Sequence, residues 1–459
     1  MFERFRRHLA DSSLIPDGTR VLVGYSGGAD STALVHLLHR CGFDVVAGHL
    51  HHGQRPEADE EMSRCQEFAD SLDVPFAGGR ADVPRMSSDM GIGLEEAGRR
   101  ARYGFFREAA YRLNCGLVAT AHTSTDQVET VLLNVIRGSG LSGLAGIPEK
   151  RDNIVRPMLP FSREETRAYC AEHGFWTHDD PSNSDIQFSR ARVRHRLISE
   201  MRHINSNVDN SILRLSEIAG EEDRFLNGMA AAALEQSESP LNGDLKFLTD
   251  HLEIRFDRTT IVHLPAVLAR RGLRLACEAL GASLDYDQTQ IAYQGVLSAV
   301  PGSVSAEGGE VVIEWSSRQI DARRLEPARP FRYTLVVPGE TISDELGWQF
   351  TAFEDDDGSS TSTRACLDAS IPIENIRGTL YFRNLNPGDS MQPFGFSGRR
   401  KLVDVMSDAK LTQAARNRLP IVCDLVGPIW APGVCLDERA RRITGTGRVI
   451  RMRFGPIGP

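Results

Sequence analysis

What this sequence lacks narrows it first. No apolar run nears the ~20 residues that a membrane-crossing helix needs, and the charged opening MFERFRRHLADSS does not read as a secretory leader. The eight cysteines (Cys41, Cys65, Cys115, Cys170, Cys277, Cys366, Cys423, Cys435) are scattered, and none stands in a CxxC pair. That argues against a disulfide framework and against zinc or iron–sulfur sites built from cysteine pairs, so a reducing, cytoplasmic setting is expected. No GxxxxGK[ST] string occurs, hence no Walker lysine for the β/γ-phosphates. No internal repeat is found. A net charge of −9 supplies no overall basic field for nucleic acid.

What is present is an ordinary soluble composition, 41% hydrophobic and 25% charged over 459 residues, enough for two or three domains. The stretch VLVGYSGGADSTALVHLLHR at 21–40 organises the rest. Val21–Tyr25 is long enough for one buried strand, and Thr32–Arg40 carries apolar residues at helical spacing. Between them lies Ser26-Gly27-Gly28-Ala29-Asp30-Ser31. A strand, a small-residue turn and a helix start aim unpaired N–H groups at one spot, which makes a phosphate cradle. Asp30 would repel those phosphates unless a cation lay between, and Mg²⁺ is the natural bridge. The plain alternative is a βα turn with Ser and Asp as helix caps.

Further strands are expected at 44–50, 74–78, 117–121 and 154–155, with helices at 57–72, 94–113, 126–137 and 163–173. Strands alternating with helices predict a doubly wound parallel sheet, whose ligands bind beyond the carboxyl ends of the strands. The polar clusters at 26–31, 49–55 and 122–129 all fall there. From about Val208 the pattern turns to long amphipathic helices, which suggests a helical domain. After LEPARPFRY strand-like segments follow (333–337, 348–353), with an acidic Ser/Thr-rich loop at 354–363. The expected division is 1–208, 209–325 and 326–459. From Arg399 onward twelve basic residues stand against five acidic ones. A basic module on an acidic chain suggests phosphate-backbone contact, with a solvated basic surface as the bland alternative.

Three segments carry candidate chemistry. HLHHGQRPEADEE (49–61) offers His49, His51, His52 and Arg55. The alternation of a strand splits the histidines between two faces, so ATP phosphate or ribose suits them better than a metal. LEEAGRRARYGFF (94–106) puts Arg99 and Arg102 one helical turn apart, either gripping an anion or forming a solvated face. In ATAHTSTDQVETVLLNVIRGSGLSGLAGIP (119–148), His122, Asp126 and Glu129 line one side of a helix start. Two carboxylates there cap the helix electrostatically, or hold a cationic lysine or Mg²⁺.

SGGADS resembles the pyrophosphate-binding loop of the N-type ATP pyrophosphatase (PP-loop) superfamily, whose members cleave ATP to AMP and pyrophosphate. The longer strings narrow the resemblance to tRNA(Ile)-lysidine synthases: RGSGLSGLAGI (137–147), DDPSNSDIQFSRARVRHRL (179–197) and RNLNPGDSMQPFG…RRKLVDVMSDAKLTQAARNRLPIV (383–422). It is tight over 21–197 and 380–453 and loose between. It implies a Rossmann-like PP-loop domain, a helical middle domain and a mixed α/β tRNA-binding end. It also implies ATP and Mg²⁺ as cofactors, and L-lysine and the isoleucine tRNA with a CAU anticodon as substrates, joined through an adenylated wobble cytidine with release of AMP and pyrophosphate. No membrane partner is implied, and a homodimer stays open.

By the same resemblance Ser26, Gly27, Gly28, Asp30, Ser31, His49 and Arg55 bind ATP, and Asp30 also meets the metal. Asp30, Arg102, His122 and Asp126 are catalytic, and Asp126 and Glu129 bind lysine. Arg190, Arg194, Arg399, Arg400, Lys401 and Arg416 face tRNA. Two departures stand out: Thr125 occupies the place of the family's first Asp in AHxxxDDxxET, and Ala191 that of an Asn. Competing readings are a tRNA thiolase, an amide-forming synthetase, or a tRNA-binding protein with an inactive ATP site.

Overall fold

The computed structural model describes residues 1–53, 58–178, 189–327, 329–355, 366–441 and 447–458. The chain divides into two compact units, Met1–Arg224 and Phe225–Pro459. Arg55, the Asp180–Asn183 turn and most of the acidic 354–363 loop lie outside the described residues.

The first unit runs α1 (Phe2–Ser12), β1 (Arg20–Gly24), α2 (Ala29–Arg40), β2 (Asp44–His51), α3 (Ala58–Ser71), β3 (Phe76–Arg80), α4 (Val83–Met90), α5 (Leu94–Arg112), β4 (Leu117–Ala119), α6 (Ser124–Ile136), α7 (Leu141–Leu144), β5 (Lys150–Arg151), β6 (Ile154–Val155) and α8 (Arg163–Glu172). Then come α9 (Ser189–Arg192), a π-helical turn (Val193–Leu197), α10 (Ile198–Ile204) and the start of α11 (Val208–Ser237). The strands form one sheet in the order β3-β2-β1-β4-β6-β5, parallel except for β5. This is the doubly wound sheet that the sequence predicts.

The two faces of β1 explain its unbroken apolar run. Val21 and Val23 join Leu34 and Leu37 of α2 and Tyr169 of α8 in one core. Leu22, between them, packs with Val46, Val118 and Phe106 of α5 in another. A strand covered on both sides needs apolar residues at every position. The connection leaves β1 toward β2 and returns to β4 on the other side, so β1 and β4 flank the switch point where such sheets bind ligands.

In the second unit α11 finishes and β7 (Glu253–Asp257), α12 (Arg258–His263), α13 (Ala266–Ala279), α14 (Tyr286–Ser298), β8 (Gly302–Ser305), β9 (Val311–Trp315) and β10 (Gln319–Arg324) follow. The expected helices are here, together with a four-stranded antiparallel sheet, β7-β10-β9-β8, that helical periodicity did not announce. The helices and sheet share a core of Leu273, Ala276, Val296, Ile313 and Trp315.

The remaining elements are β11 (Arg332–Thr334), β12 (Gly339–Ser343), β13 (Trp348–Asp355), β14 (Asp368–Pro372), β15 (Tyr381–Arg383), β16 (Ser390–Met391), β17 (Arg400–Lys401), α15 (Leu402–Asp408), α16 (Gln413–Arg418), β18 (Ile421–Cys423), β19 (Pro428–Ala431), β20 (Cys435–Leu436) and β21 (Val449–Pro456). Two sheets, β11-β15-β18-β19-β20 and β12-β13-β21-β14, enclose an aromatic core. Phe350 of one stacks on Phe382 of the other at 4.7 Å between centroids. Among the described residues no helix is long and apolar enough to cross a membrane.

Candidate active site

The loop after β1 is shaped by its glycines and serines. Gly27 takes φ +79°, and a Cβ there would lie 3.1 Å from Cys65 Sγ and 3.3 Å from the Trp176 ring. Ser31 Oγ accepts from the Ser26 N–H (3.1 Å) and donates to the Gly28 carbonyl (3.0 Å), folding the loop over the start of α2. Gly28 caps α2 without a side chain, which leaves the first-turn N–H groups for an anion. Buried His49 donates from Nδ1 to the Tyr25 carbonyl (2.9 Å), and burial holds its pKa below the usual histidine value. His49 therefore braces the loop as a neutral ring.

Asp30 lies one residue into α2. Thr166 Oγ1 donates to its Oδ1, and Arg163 Nε donates to its Oδ2 at 3.3 Å. Burial pushes its pKa up, and Asp126 adds to that, against the lowering effect of Thr166 and Arg163. Arg163 also donates from Nη2 to Asp126 Oδ1 (3.2 Å), so one guanidinium joins two carboxylates. Asp126 receives the Thr123 N–H and hydroxyl as well, each at 2.9 Å. Burial alone would raise its pKa, but Arg163, the Thr123 N–H and Arg190 outweigh it and hold the carboxyl below the ordinary value.

Glu129, one turn further along α6, is fully buried. Arg194 grips it with both forks, Nε to Oε1 at 2.5 Å and Nη2 to Oε2 at 3.0 Å, and Arg190 Nε reaches Oε2 at 3.0 Å. The sequence reading gave Arg190 and Arg194 to tRNA and Glu129 to lysine; in the structure the two arginines turn onto Glu129, and both of its oxygens accept from them. The reason is the cost of a buried carboxylate, which demands counter-charge. The arginines arrive because Val193 and Ile198 pack their segment onto Val128, Val131 and Leu132 of α6.

His122 leaves β4 with Nδ1 3.0 Å from Thr120 Oγ1. Burial pushes its pKa down to about 4, and Arg156, Arg190 and Arg99 push the same way against Asp126. At neutral pH it is an uncharged imidazole among cations. Arg102, on α5, is exposed along its stem, yet burial of its guanidinium, with Arg99 nearby, holds its pKa below the usual arginine value, and among the described residues no carboxylate pairs with it. The structure thus brings together the loop, Asp30, His122, Asp126 and Glu129. Sequence reasoning missed Arg163 and Thr166. The one available signal was the Ser162/Glu165 capping box that starts α8.

In the second unit, Lys401 and Arg416 line a groove of about 500 Å³ with Arg329, Arg332 and Arg383. Arg399 and Arg400 do not line it: Arg399 donates to the Ser390 carbonyl (2.6 Å), and Arg400 pairs with Asp408 (2.7 Å).

Residues 2–201 match the family model of the PP-loop domain, and residues 379–452 match that of the TilS substrate C-terminal domain. A protein named tRNA(Ile)-lysidine synthase in Symbiobacterium thermophilum is 30% identical, over 98% of this chain and 97% of its own. The chain belongs to the tRNA(Ile)-lysidine synthase family. Namesakes in Geobacillus kaustophilus (29% identity, 99% of both chains) and Geobacter sulfurreducens (28%, 99% of this chain and 97% of that one) agree. Within this enzyme family the chain's departure at Thr125 now has a structural setting. Thr125 Oγ1 accepts the Arg163 N–H at 3.2 Å, so the hydroxyl helps fix the α8 start that carries the bridging guanidinium.

Proposed function

We propose that this enzyme joins L-lysine to C2 of the wobble cytidine in the isoleucine tRNA with a CAU anticodon, using ATP. The observation that carries the reading is the meeting of the phosphate-cradle aspartate and the α6 carboxylate Asp126 at one guanidinium, in a chain related over nearly its whole length to lysidine synthases.

The cytosine C2 oxygen is a poor leaving group, so it first attacks the ATP α-phosphorus and pyrophosphate departs. The lysine amine then attacks C2, and the C2–O bond breaks with its oxygen leaving on AMP. Ser26–Ser31 would hold the departing pyrophosphate through backbone N–H groups. Asp126 would bind the lysine cation by exchanging one arginine contact at Oδ1, while Glu129 keeps Arg190 and Arg194 in place as a positioning residue. A neutral His122 can accept a proton from the amine, and a phosphate arriving among its cationic neighbours would raise its low basicity. The target base must be unstacked to reach the site. The Lys401–Arg416 groove would contact the tRNA backbone.

The donor set fits a Mg²⁺ that is carried chiefly by phosphate and water. Asp30 would supply one oxygen, and among the described residues no cluster of three His, Cys, Asp or Glu could cage a metal. When bound, the ion would offset charge on the triphosphate.

The test is incorporation of labelled lysine into unmodified CAU-anticodon isoleucine tRNA, with methionine tRNA and Asp30→Ala as controls. Labelling that needs ATP, fails on methionine tRNA and is lost in the variant supports the proposal. AMP release without labelling would sink it and favour another nucleophile.

A further inference from the structure

Arg156 is the first residue after β6, at the carboxyl edge of the sheet and next to the end of β4. It is 5% exposed. Its Nη1 donates to the Pro148 carbonyl at 2.7 Å, and Tyr103 hydrogen-bonds its side chain, but its buried Nε has no partner. Among the described residues no carboxylate pairs with it. The charged groups that bear on it most are Arg151 and Arg99, both positive. Arg99 lies over the Tyr103 ring at 5.1 Å, and Arg156 and Arg99 both bear on His122.

Around the loop after β1 the described charges are balanced: the partly buried Arg163, Arg190 and Arg194 answer Asp30, Asp126 and Glu129. Among the described residues of this unit, Arg156 is the buried arginine with no acid beside it. Removing a guanidinium from water costs several kcal/mol unless a counter-charge returns it. A folded chain keeps such a group where a ligand completes it.

We infer that Arg156, Arg99 and the uncharged His122 form a phosphate subsite distinct from the loop after β1. Its ligand is a single phosphate mono- or diester group. Two sources share that chemistry: the α-phosphate that stays with adenosine, and a tRNA phosphate beside the target cytidine. Planar guanidinium forks suit either. The inference rests on the proposed function for the identity of these ligands.

The test titrates the full-length protein with AMP, and separately with unmodified CAU-anticodon tRNA, in wild type, Arg156→Gln, Arg156→Lys and Arg99→Gln. Glutamine keeps a donor for the Pro148 carbonyl and removes the charge. Arg156→Gln is expected to weaken one of the two probes about tenfold or more, because a charge-assisted contact is lost, while Arg156→Lys stays within about threefold. Arg99→Gln, on the surface, should weaken the same probe by about threefold. Loss of AMP affinity assigns the subsite to the nucleotide. Loss confined to tRNA, with a salt slope smaller by about one, assigns it to the RNA backbone. Unchanged affinity for both probes in natively melting Arg156→Gln overturns the inference while the proposed function stands. If Arg156→Gln does not fold, unchanged affinities in Arg99→Gln overturn it. A wild-type protein that binds neither probe would remove the proposed function and this subsite together.

Discussion

Asp30 and Asp126 share one cation: Arg163 places Nε against the first and Nη2 against the second. One carboxylate belongs to the phosphate cradle and the other to the helix expected to hold lysine, so Arg163 couples the two halves of the site. Arg163→Ala should leave two neighbouring carboxylates facing each other. Expected losses are about 2 kcal/mol of stability, discounted because Arg163 and Asp30 are partly exposed, and most of the lysine-transfer activity. Urea unfolding and transfer assays check this. A loss below about 0.5 kcal/mol would mean that Arg163 is an ordinary surface pairing.

Glu129 and Arg194 should be strongly coupled. In a double-mutant cycle of Glu129→Gln and Arg194→Met, the first change strands two arginines, the second leaves Glu129 to Arg190 alone, and the double change strands less than the first. A coupling energy of about 1–3 kcal/mol is expected from chemical denaturation. Strict additivity would show that the fork–carboxylate contact carries no net stability.

The histidines give a pH signature. His122 and His36 are both pushed down to about 4, chiefly by burial. The unfolded chain therefore binds more protons than the folded one between the ordinary histidine value and about 4. Stability from these groups is present above that ordinary value and falls as pH drops through the window. Unfolding midpoints measured from pH 6.5 down to pH 5, where carboxylates contribute least, should fall steadily. In a His36→Asn/His122→Asn protein the slope should flatten. An unchanged slope would refute the burial account.

Lys401 and Arg416 line the C-terminal groove, Arg416 while donating to the Thr412 carbonyl and Ser407, and Arg399 and Arg400 lie outside its lining. Lys401→Ala and Arg416→Ala should each lower the salt dependence of tRNA binding by about one phosphate contact. Equal slopes across wild type and both variants would place the RNA elsewhere.

The sheet was legible because β1, β2 and β4 are covered on both faces and so read as apolar runs between helical patterns. The cradle was legible because small residues cluster between a strand and a helix. Arg163 was not, because its partners come from α2 and α6, and nothing local marks an arginine that bridges them. Arg190 and Arg194 make a related case: an arginine-dense string reads as a phosphate binder, and nothing local shows that tertiary packing sets it over a buried acid. In the middle region the amphipathic helices drew attention from VVIEW (311–315), whose β-branched and aromatic residues form the buried strand β9.

The π-helical turn carries a consequence for gene-level change. Val193 and Ile198 both pack on α6, although residues five apart on an α-helix point about 140° away from each other. The wider turn brings them to one side and delivers Arg194 to Glu129 in the same step. Deleting a single codon between 194 and 198 would let the helix close to its usual pitch. Val193 and the present Ile198 would then stand four apart, about 40° from each other, so α10 would keep its apolar side on α6 and Arg194 would still follow Val193. Loss of one residue among His195, Arg196 and Leu197 should therefore be tolerated better than the same loss inside α6 or α11, where it would turn the following residues by about 100°.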